Sequence, residues 1–194
     1  MRIGVLGGSF NPPHNGHLIV ASDAFEALAL DRLLIVPASA NPLKGKEASG
    51  PAPEQRLEMV RLTFEGDPRF EVSSMELDRG GLSYTVDTLE ALKAQFPEAE
   101  LCLLLGMDSY STMDRWKRPE RIRELAQVAV LARGENDDQA APPGVTVVTT
   151  RRLDVSASEI RARVAAGKSI RGFVAESVER YISAAELYRA AASR

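Results

Sequence analysis

Short β-rich runs alternate with helical patterns between residues 2 and 149, and that alternation constrains the fold more than any other feature of the chain. Antiparallel strands can be joined by a tight hairpin, whereas neighbouring parallel strands need a crossover of a dozen or more residues. Strands separated by helices therefore point to a parallel α/β sheet rather than a sandwich or a bundle. The candidate strands are residues 2–6, 32–36, 70–72, 100–105, 127–132 and 145–149. Apolar residues spaced near i, i+3, i+4 predict helices over 17–30, 53–64, 85–95 and 119–125. Beyond residue 150 only helical patterns remain, over 156–166 and 174–188, the latter with a break near Ser183. Their buried stripe is predicted to hold Ile160, Val164, Val178, Tyr181, Ile182 and Leu187.

A chain of 194 residues can bury one sizeable core. Residues 1–194 are read as a single domain, with a sheet part over about 1–150 and a helical part over 151–194. Two stretches are loop-like: 38–53, with Pro, Gly, Ser and two lysines, is expected to form a mobile lid, and 134–144 a solvated linker. The balance of 24 Lys and Arg against 27 Asp and Glu gives a net charge of −3. That argues against a nucleic-acid grip, which needs a basic stripe, so an anionic ligand must be held by a local cluster. The longest apolar stretches fall far short of the roughly 20 residues of a membrane helix, so no membrane partner is expected. No signal peptide is visible, and Cys102, the single cysteine, reads as a small buried hydrophobe of a cytoplasmic chain. Whether the chain forms a homo-oligomer is left open.

The most informative segment runs from Gly7 through Gly8-Ser9-Phe10-Asn11-Pro12-Pro13-His14-Asn15-Gly16 to His17, between a strand and a helix. In a parallel sheet that strand end is where ligands bind. Gly7 and Gly8 let backbone N–H groups approach a phosphate closely, and Pro12-Pro13 delays the helix until about Asn15, the expected N-cap. The turn thus offers a helix N-terminus to an anion. His14 and His17, the only two histidines, would both reach one phosphate chain. Taken singly, His14 would be a surface residue and His17 a packing residue, but their clustering on this turn favours the phosphate reading. No Cys, Asp or Glu lies within the motif, so no metal site is predicted. Neither the G-x-G-x-x-G dinucleotide fingerprint nor the Gly-Lys-Ser/Thr ending of a P-loop is present.

Gly7–His17 closely resembles the G-G-S/T-F-D/N-P-x-H-x-G-H signature of the nucleotidyltransferase superfamily. The resemblance implies a Rossmann-like, doubly wound parallel sheet with a small C-terminal helical extension. It also implies that His14 and His17 contact ATP phosphates, with Gly7, Gly8, Ser9, Phe10 and Gly16 in the ATP site. Val155-Ser156-Ala157-Ser158-Glu159-Ile160-Arg161 resembles the second signature, I-S-S-T-x-I-R, with Ala157 in place of a serine. In physical terms Ser156-x-x-Glu159 is a capping box, and Ser158 and Arg161 would stand near the exposed N–H groups of that helix. Through the resemblance, Arg161 joins the catalytic set, and Ser156 and Ser158 the ATP site. Arg151-Arg152 would either add positive potential there or form an ordinary solvated surface.

Four further segments resemble the bacterial nicotinate-nucleotide adenylyltransferases. Pro37-x-x-x-Asn41-Pro42-x-Lys44 resembles their loop beside the acceptor nucleotide, and Ser83-Tyr84-Thr85-Val86-Asp87-Thr88-Leu89 their S-Y-T-x-D/Q-T-L segment. The counterpart of the latter binds the nicotinate carboxylate through main-chain N–H groups, here those around Thr85 and Val86. Gly106-Met107-Asp108 resembles the G-x-D at the adenosine ribose, with Arg133 also assigned to ATP. Trp116-Lys117 resembles the W-Y/K pair that stacks on and caps the pyridine ring. Taken alone, Ser83, Thr85 and Asp108 would be helix caps and Trp116 a core residue. Alanine at position 175, where proline is expected, touches only the start of the last helix. The resemblance implies ATP with Mg²⁺ on its phosphates and nicotinate mononucleotide as partners. The alternatives are a superfamily enzyme acting on nicotinamide mononucleotide or phosphopantetheine, and a noncatalytic nucleotide sensor.

Overall fold

The computed structural model describes residues 1–42, 50–133 and 144–190. Six parallel strands, β1 (Arg2–Gly8), β2 (Arg32–Pro37), β3 (Phe70–Val72), β4 (Glu100–Gly106), β5 (Ala126–Arg133) and β6 (Val145–Thr150), form one sheet in the order β3-β2-β1-β4-β5-β6. All six expected strands are present, most of them one or two residues longer than the apolar runs. This is the doubly wound order, which reverses direction between β1 and β4 and opens a crevice at their carboxyl ends.

Period-2 alternation within each strand divides the core between the two faces. Ile3, Val5, Leu34, Val36, Leu101, Leu103, Val128 and Val130 pack on one face with Val86, Leu89, Leu92 and Ile122. Those last four come from α4 (Thr85–Gln95) and α6 (Pro119–Leu125). On the other face Leu33, Ile35, Cys102, Leu104, Ala129 and Leu131 meet Ala21, Ala24, Val60 and Phe64 of α1 (Asn15–Ala27) and α2 (Pro53–Phe64). Cys102 is a buried hydrophobe of this kind, its thiol pushed up to about 11 by burial. Gly4 keeps β1 close to its neighbour, because a Cβ there would stand 2.5 Å from Leu30 Cδ1 and 2.7 Å from Leu33 Cδ1.

The C-terminal helices α7 (Ala157–Ala165) and α8 (Glu176–Ala184) dock on α2 through a third cluster. Met59 of α2 meets Ile160, Ile170, Val174, Val178, Ile182 and Leu187 there. Of the predicted stripe, Ile160, Val178, Ile182 and Leu187 are buried and Val164 and Tyr181 partly buried against them, and the helix over 174–188 breaks near Ser183 as expected. It is capped at Ala175, and positive φ at Glu186 and Tyr188 turns the chain after Ala184. Likewise α1 starts earlier than the apolar spacing predicts and ends at Ala27, where Ala29 takes a left-handed conformation. Two short helices, α3 (Met75–Arg79) and α5 (Met107–Tyr110), and a 3-10 turn at Met113–Arg115 carry too few residues for a periodic signal. Residues 43–49 of the 38–53 loop and residues 134–143 lie outside the described residues. Among the described residues, no helix is long and apolar enough to cross a membrane.

Ile160 is fully buried between α7 and α2. Ile160→Ala is expected to destabilise the protein by about 2–5 kcal/mol, read as a lower denaturant midpoint at unchanged slope.

Candidate active site

The turn after β1 is held open from several directions. Phe10 is buried with φ 45° and stands edge-on to the His17 ring at 5.0 Å between centroids. Gly8 leaves room for it, since a Cβ there would lie 3.1 Å from the Phe10 ring. His14, not Asn15, is the N-cap of α1, in extended conformation with only 6% of its surface exposed. The reason is local: Pro12 and Pro13 have no N–H to offer a helix, and the first residue after the extended His14 can already turn.

The His14 backbone N–H donates to His17 Nδ1 at 3.1 Å, and the two rings lie 3.8 Å apart, tilted by 35°. Because a backbone N–H can only donate, His17 Nδ1 carries the lone pair. The ring proton of the neutral imidazole is therefore on Nε2, which becomes the donor edge. Gly16 permits this packing, because a Cβ at that position would stand 2.9 Å from His14 Nδ1.

The second signature meets the first through its main chain. Arg161 Nη1 donates to the Asn11 carbonyl at 2.6 Å, and the Tyr188 hydroxyl donates to Asn11 Oδ1 at 2.7 Å. Asn15, expected as a cap, is instead a tether: its backbone N–H donates to Phe173 O at 2.9 Å and its Nδ2 to Gly172 O at 2.9 Å. Ser156 caps α7 as expected, accepting from the Glu159 N–H at 3.2 Å, and its Oγ is 3.0 Å from Ser158 Oγ. Ala157 is the first helical residue, where the cap needs no side chain. Arg151 and Arg152 are accounted for on the surface. Arg151 binds Asp23 on α1 through Nε at 2.8 Å, holding that carboxyl below its usual range, and Arg152 Nε binds Asp154 at 2.9 Å.

A cavity of about 350 Å³ opens at the carboxyl ends of β1, β2 and β4, within the usual range for ligand sites. Gly7, Gly8, Asn41, Ser83, Tyr84, Thr85, Asp108, Trp116 and Lys117 all line it. Ser83 does not cap α4 but fastens it to the neighbouring loop. Its N–H donates to Ala40 O at 2.8 Å and its Oγ accepts from the Ser39 N–H at 2.9 Å. The Val86 side chain is fully buried in the core, so this residue offers the site only its main chain. The first-turn N–H groups of Thr85 and Val86 are ones a helix cannot satisfy internally. Asp108 lies in the first turn of α5, whose N-cap is Gly106.

Trp116 is half-buried, packed on the core by one side and lining the cavity by another, with Nε1 3.4 Å from Thr112 Oγ1. Lys117 is not a lone cation: Nζ binds both Asp87 carboxylate oxygens at 2.9 and 3.0 Å and lies 4.5 Å from the Tyr84 ring centroid. Buried Glu76, which accepts from Thr88 Oγ1 at 2.5 Å, also lines the cavity and carried no signal in the sequence. His14, His17, Ser156, Ser158 and Arg161 are not among its lining residues. The imidazoles lie further along the loop that leaves the cavity at Gly8. Lys44 lies outside the described residues, and of Arg133 only the main chain, at the end of β5, is described.

Comparison with known proteins identifies the family. The cytidylyltransferase-like family profile matches residues 5–163. The chain is 47% identical to a protein of Gemmatimonas aurantiaca named "Probable nicotinate-nucleotide adenylyltransferase", over 97% of this chain and 93% of that one. It is 46% identical to a Thermus thermophilus protein of the same name, over 97% and 100% of the two chains. Among solved structures, Plasmodium falciparum nicotinic acid mononucleotide adenylyltransferase complexed with NaAD superposes with a TM-score of 0.79. That match covers 96% of this chain and 97% of the other at 18% identity, a likeness of fold.

The close fit of Gly16 against His14 can be tested by NMR on histidine-labelled protein, which has two rings to observe. Gly16→Ala is expected to shift both ring signals together while the circular dichroism is retained. Unmoved ring signals would show that the two imidazoles are not packed as described.

Proposed function

Because the chain belongs to the cytidylyltransferase-like family and, within it, to the nicotinate-nucleotide adenylyltransferases, we propose that it transfers the adenylyl group of ATP to nicotinate mononucleotide. The products are deamido-NAD and pyrophosphate, a step of NAD biosynthesis. The observation that carries this reading is the His14–His17 pair, with His17 Nδ1 occupied and Nε2–H as the donor edge, on a turn fastened to Arg161 through Asn11.

A phosphate monoester has a second pKa near 6, so the acceptor is already mostly dianionic at neutral pH. It needs no general base. One of its oxygens forms a bond to the α-phosphorus of ATP while the bond from that phosphorus to the bridging oxygen of the β-phosphate breaks, and pyrophosphate leaves. The chain supplies in-line positioning and donors for the charge that gathers on the phosphates. His17 Nε2–H, His14, Arg161 and the N-termini of α1 and α7 take that part, with Lys44 as a further contact. Gly7, Gly8, Ser9, Phe10, Gly16, Ser156, Ser158 and Arg133 complete the triphosphate site, and Gly106 and Asp108 hold the adenosine ribose. Mg²⁺ enters with ATP as part of the substrate, carried on its phosphate oxygens.

The cavity takes the acceptor. Its pyridine ring stacks on Trp116, its carboxylate meets the N–H groups of Thr85 and Val86, and Asn41, Ser83 and Tyr84 shape the wall. N–H donors favour a carboxylate over an amide. Lys117 contributes less to that preference than a free ammonium would, because Asp87 already holds its charge. Residues 1–194 work as one unit in this scheme, since the two phosphate-binding signatures come from opposite ends of the chain.

The test is pyrophosphate release from ATP and Mg²⁺ with nicotinate mononucleotide, nicotinamide mononucleotide or phosphopantetheine offered separately. Release is expected to be fastest with the acid. Preference for the amide would overturn the acceptor assignment, and silence with all three would favour a nucleotide sensor. His17→Ala is expected to lower kcat by about 10²–10³-fold, the usual loss for one donor to developing charge, with little change in melting temperature. Trp116→Ala should instead raise the KM for the mononucleotide by an amount equivalent to about 1–3 kcal/mol of stacking. An effect confined to the KM for ATP would put this residue in the other subsite.

A further inference from the structure

Arg56 is buried, with 8% of its surface exposed, and no phosphate- or acceptor-binding motif includes it. It lies in the first turn of α2. Its guanidinium reaches out of the helix toward two loops at once. Nη1 donates to the carbonyl of Ser9 at 2.8 Å, and Nη2 donates to the carbonyl of Ser39 at 2.8 Å. Burying a cation is costly unless its hydrogen bonds are made well, and packing alone would be served by an apolar side chain.

The two acceptors occupy matching places. β1 and β2 run side by side to the pair Gly8 and Pro37, and the Ala38 N–H donating to Gly8 O at 2.9 Å closes the ladder. Past that point the chains part. One becomes the turn that carries His14 and His17, and the other leads through Asn41 along the acceptor cavity. Two carbonyl oxygens cannot bond to each other, but a planar fork with two Nη donors can bond to both. Arg56 thus continues the pairing where the main chain can no longer do so. Ser39 is in turn fixed to Ser83, two residues before Thr85, so a continuous set of hydrogen bonds runs from the triphosphate loop to the N-terminus of α4.

We infer that Arg56 is a positioning residue for the transfer: its guanidinium fixes the spacing between the loop that holds the triphosphate and the loop that holds the acceptor. The inference rests on the adenylyl-transfer reading. An in-line reaction between two bound substrates is sensitive to that spacing, and an error near 1 Å costs on the order of a hundredfold in rate. The chemistry needs the fork and not merely the charge.

Arg56→Lys keeps the charge and cannot span both carbonyls, while Arg56→Met removes both. Both variants are expected to lose on the order of a hundredfold in kcat, with KM for ATP and for nicotinate mononucleotide close to those of the wild-type enzyme. Wild-type kcat in Arg56→Lys would overturn the proposal, and so would a change confined to the two KM values. Wild-type enzyme assayed beside them separates the two claims, since its silence would count against the reaction and not against the tie. Hydrogen exchange on the wild-type protein reads the tie without turnover or substitution. A nonhydrolysable ATP analogue alone is expected to slow exchange in both 9–17 and 38–42, and protection limited to 9–17 would overturn the proposal.

Discussion

A turn proposed to present N–H groups and two imidazoles to a polyanion has one bond of its own between them, from the His14 N–H to His17 Nδ1, and the rest of its order comes from elsewhere. In this chain it comes from the C-terminal segment and from α2. Arg161 and Tyr188 hold Asn11, the carbonyls of Gly172 and Phe173 hold Asn15, and Arg56 holds Ser9. Hydrogen bonds to charged donors are each worth about 1.5–3 kcal/mol, and neutral ones about half that. The set is therefore strong enough to help fix the turn. In the proposed reaction its benefit is catalytic, because donors already in place need not reorganise as charge moves onto the leaving phosphate.

The same constraint explains the division of labour between the faces of the sheet. Helices α1 and α2 cover one face and α4 and α6 the other, so the crevice between β1 and β4 is reached from both sides by helix N-termini. The chain carries a net charge of −3, yet several of its carboxylates are engaged in ion pairs or hydrogen bonds. Asp87 holds Lys117, Glu76 holds Thr88, and Asp23 holds Arg151. In the proposed reaction local donors, not the overall charge, receive the polyanion.

The strands and long helices were legible in the sequence because burial on both faces writes itself as apolar runs and regular spacing. Helices α3 and α5 were not, since four or five residues give no period. The Gly7–His17 segment and the Ser156–Arg161 segment were legible as motifs, and the structure joins them through Asn11 and Arg161. What could not be read was the support. Tyr188 and Arg56 lie in ordinary helical or turn sequence, and their importance arises only from contacts 177 and 47 residues away. Ser83 shows the converse: a residue whose local sequence suggests a cap is recruited by Ser39 in a neighbouring loop. Asn15, whose expected cap position falls to His14, is likewise engaged by distant partners, the carbonyls of Gly172 and Phe173.

The bond between Asn11 and Tyr188 also has a meaning in time. Its two ends are separated by 177 residues, and at cellular rates of synthesis, about 5–20 residues per second, that distance takes on the order of ten seconds or more to translate. Throughout that interval the growing chain carries both histidines but lacks the residues that set the turn bearing them. A nascent chain that has not yet reached Tyr188 is without that fastening of the proposed phosphate-binding turn. The residues that complete the proposed phosphate-binding turn are thus made long after the turn itself.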